Sequence, residues 1–125
     1  MFDKLRQLEE RYQELSRRLS DPQVIGQQAE YARMAKAASE LAEVVRKFED
    51  SKALLARISE ARHILAEDTD REMRAMAQAE IDDLTARQAA LEEELRALLL
   101  PRDPNDQRNV FVEVRAGAGG DEAGL

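Results

Sequence analysis

The chain has no cysteine and no tryptophan, one histidine, three phenylalanines and two tyrosines, and each shortage removes a class of protein. Without thiols there is neither a disulfide framework nor a thiolate metal site, so a reducing compartment raises no conflict and the cytoplasm is the expected location. With His63 as the only imidazole, hydrolytic triads and zinc sites lack their parts. Long apolar runs are also missing. No segment approaches the ~20 apolar residues of a membrane span, and the N-terminus has no basic stretch followed by an apolar one, so no membrane partner is expected.

What is present points to helices. Charged residues make up 36% of the chain, in a mixture rich in Ala, Glu, Arg and Leu that suits long, surface-laced helices better than a compact globule. At 125 residues there is room for one domain with a modest core and not for two complete ones. The net charge of −7 is uneven: residues 68–100 carry four positive and nine negative charges, whereas residues 1–25 and 26–67 are each balanced. Broad electrostatic wrapping of a nucleic-acid duplex is therefore not expected, although local arginines can still meet phosphates.

Phe2, Leu5, Leu8, Tyr12, Leu15 and Leu19 step by three or four and lay one apolar stripe on a first helix, about 2–19. Ser20-Asp21-Pro22 should end it, with Asp21 as a cap and Pro22 at the first position of a new turn, which Gly26 closes. A second helix, about 27–67, follows a heptad register. Met34, Leu41, Phe48 and Leu55 share one seam position, and Ala37, Val44, Ile58 and Leu65 share the other. The same register puts Ser51 and Arg62 on the seam, so its second half is less well filled. Asp68-Thr69-Asp70 breaks the pattern, and Thr69 with Glu72 is the expected capping box of a third helix, about 70–99. Ala77, Ile81, Leu84, Leu91, Leu95 and Leu98 form its seam, interrupted by Gln88, until Pro101 stops it.

At ~1.5 Å per residue these helices span roughly 30, 60 and 45 Å. The expected fold is all-α, an elongated three-helix antiparallel bundle with a long hairpin between its second and third helices. The first helix can cover only the end of that hairpin away from the turn, so residues 55–80 should project as a thin two-helix tip. Residues 101–108 are dense in turn formers and read as a linker after a helical domain at 1–100. Val110, Val112 and Val114 then alternate with Phe111, Glu113 and Arg115 as the first strand of a second, truncated domain at 109–125. A single strand has no partner here, so this tail is expected to be disordered or borrowed by a neighbour unless more chain normally follows.

No catalytic, metal or cofactor residue emerges. Glu60 and His63 imitate half of the Glu-x-x-His pair of di-iron bundles, but they lie off the seam and have no second copy. The runs Asp82-Asp83 and Glu92-Glu93-Glu94 point in directions about 100° apart and read as solvated helix faces. Gly117-Ala118-Gly119-Gly120 misses the dinucleotide fingerprint, because Glu122 stands where its last glycine belongs.

One resemblance carries further. Leu98-Leu99-Leu100-Pro101-Arg102-Asp103-Pro104-Asn105-Asp106, then Asn109 to Val114, then Arg115-Ala116-Gly117-Ala118-Gly119-Gly120-Asp121-Glu122-Ala123 is similar to the domain junction of bacterial class I peptide chain release factors. Arg115, Gly117, Gly119, Gly120, Asp121 and Glu122 carry the motif. Asp121 favours the type that reads UAA and UAG, since the other type usually carries threonine there. Ala118 departs from the expected threonine. The likeness extends through the helical part, including the opening Leu5 to Leu19 stripe.

The resemblance implies a ribosome-docking N-terminal domain. The family's stop-codon tripeptide and its Gly-Gly-Gln hydrolysis loop fall after Leu125, so stop-codon mRNA would be a partner only of the full-length factor. The helical domain of the family meets the ribosomal stalk base, with its RNA and protein, and is linked to the release-recycling GTPase. Arg57, Arg62, Arg71 and Arg74, clustered about the hairpin turn, are the candidate contacts, because guanidinium groups suit phosphate oxygens. The alternative for the whole chain is a coiled-coil oligomerisation or scaffold module. The first reading expects a monomer or weak dimer.

Overall fold

The computed structural model describes residues 1–101; the expected strand and glycine loop and the linker from Arg102 onward lie outside the described residues. Four helices follow in order: α1 (Phe2–Leu19), α2 (Pro22–Ile25), α3 (Gln28–Glu67) and α4 (Arg71–Leu99). The described part is all-α. The single turn of α2 is the expected connector, and its start has the expected chemistry: the Asp21 carboxylate accepts from the Gln23 N–H at 3.0 Å, with Pro22 next to it. Gly26 closes it at φ −73°, a right-handed conformation that needs no glycine.

The start of α4 differs from expectation. Asp70, not Thr69, is the N-cap: its carboxylate accepts from the Met73 N–H at 3.3 Å, and its own N–H donates to the Asp68 side chain at 2.8 Å. Both residues are good caps. With Asp70 as the cap the third helical residue is Met73, so the Thr69/Glu72 box gives way to a simple cap, and the Asp68 carboxylate takes the Asp70 N–H.

α1 lies along the first half of α3. Leu15 packs with Val24, Met34 and Ala38, while Leu5 packs with Val44, Val45 and Phe48 and reaches Leu95 on α4. At about 1.5–3 kcal/mol per fully buried large apolar side chain, these two clusters hold most of the apolar stabilisation. Past Lys52, which still reaches Glu9, the hairpin continues without α1. Its core there is Leu54, Ile58 and Leu84, with Ala61 and Ala77 beyond. The thin tip expected from the helix lengths is present.

The seam is also corrected in detail. Met34, Leu41 and Phe48 share the heptad position that faces α1. The next residues at that position, Leu55 and Arg62, lie past the end of α1 and are exposed, while Leu54 and Ala61 fill the contact with α4 instead. At the far end Leu99 joins the Leu5 cluster and Leu98 is exposed. Glu9, off the apolar stripe of α1, is buried beneath Lys52, whose Nζ lies 2.9 and 2.8 Å from its two carboxylate oxygens and 4.6 Å from the Phe48 ring centroid.

Candidate interaction surface at the hairpin tip

The turn that closes the hairpin is built from short-range polar contacts. The Asp68 N–H donates to Ile64 O at 2.8 Å, and the Arg74 guanidinium donates to the carbonyls of Leu65 and Asp68. Arg74 therefore satisfies carbonyl groups that the end of α3 would otherwise leave open. Arg57 is also engaged, paired across the hairpin with Glu80 at 3.2 Å. Both partners are about half exposed, so the pair adds little stability.

Arg62 and Arg71 differ from these two. Each is exposed, and among the described residues neither forms an ion pair. Arg71 also occupies the first position of α4, where the helix dipole disfavours a cation. The structure thus splits the four candidate arginines into two that brace the hairpin and two that face solvent.

Sequence reasoning missed the apolar side of the tip. Met76 is 67% exposed, Met73 40% and Leu55 42%. The signal was in the sequence, since Met76 precedes the seam residue Ala77 and so faces away from it. Methionine suits an adaptable contact, being unbranched and polarisable. His63 and Glu60 are exposed, and no group of three metal-capable side chains occurs among the described residues. The acidic runs are spread over several partners: Asp82 accepts from Gln78, Asp83 pairs with Arg87, Glu92 and Glu93 share Arg96, and Glu94 pairs with Lys47. The Glu94 hydrogen bond is the main cause holding the Lys47 ammonium above the usual lysine range, against a smaller opposing effect of burial.

Lower down, a shallow open groove runs between α3 and α4 over Ala53, Leu54, Ala90 and Leu91, rimmed by Asp50, Arg57, Arg87 and Glu94. It brings together no nucleophile and base. Nor is any described helix long and apolar enough to cross a membrane.

A family model, the PCRF domain, matches residues 8–125. The chain belongs to the PCRF domain family. It is 47% identical over its full 125 residues to Peptide chain release factor 1 of Carboxydothermus hydrogenoformans, covering 35% of that protein, and 47% identical to the protein of that name from Geotalea uraniireducens, covering 34%. Against Peptide chain release factor 1 of Clostridium perfringens strain SM101 the identity is 44%, again with 35% covered. The chain thus spans about a third of the length of these curated relatives. No solved structure matches. The PCRF match takes in Arg115, Gly117, Gly119, Gly120, Asp121 and Glu122, which lie outside the described residues.

Proposed function

We propose that this chain is the N-terminal, ribosome-docking part of a peptide chain release factor that ends translation at UAA and UAG. The observation that carries the reading is the unbroken similarity of all 125 residues to proteins named Peptide chain release factor 1, joined to the PCRF match from residue 8 onward. In this reading residues 1–100 form the docking domain, 101–108 the linker, and 109–125 the first strand and glycine loop of the codon-recognition domain. Codon reading and peptidyl-tRNA hydrolysis belong to the remaining two thirds of the protein, so this chain is not itself an enzyme. Its setting is the cytoplasm.

The hairpin tip is the docking element. Arg62 and Arg71 offer exposed guanidinium groups to phosphate oxygens of the stalk-base RNA, and Met73 and Met76 offer apolar contact to its protein. Interplay with the release-recycling GTPase would follow from the same placement. Two features support a monomeric docking domain over a scaffold module: the seam residues Leu5, Phe48 and Leu95 are buried within one chain, and Leu84 is fully covered by the hairpin itself.

The test measures release of formyl-methionine from ribosomes programmed with each stop codon. The full reading frame should release on UAA and UAG, and this chain alone should not. Release on no stop codon would return the scaffold reading to first place. For docking, Arg62→Ala with Arg71→Ala in the full-length factor should weaken ribosome binding and flatten its salt dependence; unchanged binding at every salt concentration would remove the tip from the interface.

A further inference from the structure

Ser51 and Gln88 form a polar layer inside the α3–α4 seam. Ser51 is fully buried and Gln88 is 5% exposed. The Gln88 Nε2 donates to Ser51 Oγ at 2.7 Å and to a Glu92 carboxylate oxygen at 2.9 Å. Because Glu92 can only accept, it fixes the orientation of the amide. Gln88 Oε1 then points into the seam, buried, with no donor from the described residues. A buried acceptor without a partner is a local weakness, since even a slight opening of the helices lets solvent satisfy it.

Two independent features meet at this layer. It is the last level reached by α1, whose Phe2 contacts Phe48 at 6.2 Å between ring centroids and whose Glu9 holds Lys52. It is also where the α3 seam changes, from residues shared between α1 and α4 to Leu54, Ile58 and Ala61 facing α4 alone. Below the layer, bending would pull apart a three-helix core of leucine, valine and phenylalanine. Above it, the helices are held by a small cluster and two alanines. At the layer itself the buried pair is polar and only the half-buried Leu91 packs on both the base and the tip clusters, so bending there exposes less apolar surface than in the base and brings water to Gln88 Oε1.

We propose that the Ser51–Gln88 layer is a joint about which the upper hairpin, residues 54–84, bends relative to the three-helix base. The joint belongs to the isolated chain and holds whether or not the tip docks on a ribosome. It lets a rigid, helical tip change its direction without unfolding.

The chain has no native cysteine, so paired spin labels can be placed cleanly. With labels at Glu10→Cys and Glu67→Cys, the base-to-tip distance distribution should be broad, while labels within the tip at Ser59→Cys and Gln78→Cys should give a narrow one. Replacing the layer by Ser51→Ala with Gln88→Leu should narrow the base-to-tip distribution and raise the melting temperature by roughly 5 °C, as removal of an imperfectly satisfied buried polar pair does. A base-to-tip distribution as narrow as the one within the tip, in the unmodified layer, overturns the joint whatever the double variant does. A broad distribution that the apolar layer leaves unchanged places the flexibility elsewhere and overturns it as well.

Discussion

The base and the tip of the α3–α4 hairpin share one heptad grammar yet differ in what covers them. At the base, Phe48 and Val44 are enclosed by α1 on one side and α4 on the other; at the tip, Leu54 and Ile58 meet α4 alone. The consequence is visible at a single heptad position. Phe48 is 3% exposed and Leu55, seven residues on, is 42% exposed. An apolar seam residue is thus a statement about which face a helix offers, and the neighbouring helix decides whether that face becomes core or contact surface.

Core truncation should separate the two regions most strongly. Leu95→Ala removes a fully buried side chain between α1, α3 and α4 and should cost about 3–5 kcal/mol, lowering hydrogen-exchange protection throughout the base. Leu84→Ala, in a two-helix setting that can collapse around the loss, should cost about 2–3 kcal/mol, with lost protection confined to the tip. Equal loss of protection in both halves for both variants would erase the distinction between them.

Smaller effects sharpen the boundaries. Asp70→Ala should cost about 1 kcal/mol in urea unfolding and Thr69→Ala close to nothing, since Asp70 holds the cap; the reverse order would restore the Thr69/Glu72 box. At the base, Gly26→Ala should raise stability by about 0.4–1 kcal/mol, because its backbone is right-handed and an added Cβ would meet only ordinary contacts at 3.5 and 3.7 Å. The smallest effect concerns pH. Lys47 titrates above its ordinary range because of Glu94, so the contribution of that pair is fully present below the unfolded lysine range and is lost as pH rises through the raised folded value. Lys47→Met should therefore differ from the parent in urea midpoint at pH 7 and converge with it above the lysine range.

Much of this was legible in the sequence. The three long helices end within a residue or two of their expected limits because Pro22, the Asp68-Thr69-Asp70 break and Pro101 act locally, through backbone geometry and missing donors. The unequal helix lengths also gave the bare tip. What failed were choices between near-equal neighbours: Thr69 or Asp70 as cap, Leu55 or Leu54 and Leu98 or Leu99 as core. In the candidate site, all four arginines were read alike, whereas the hairpin takes up Arg57 and Arg74 and, among the described residues, leaves Arg62 and Arg71 without an ion pair. Nothing in a charge pattern distinguishes an arginine that binds a carbonyl nine residues away from one that faces water.

The sequence by itself determined the helical periods, the stops between them and the family likeness, since each rests on contiguous residues. Only the tertiary structure decided that Glu9 is buried under Lys52, that Gln88 completes a polar layer with Ser51, and that α1 reaches only to the level of Phe48 and Lys52. Those outcomes depend on which residues distant in sequence arrive at the same height along the bundle, and helix crossing and packing set that height, not the local pattern.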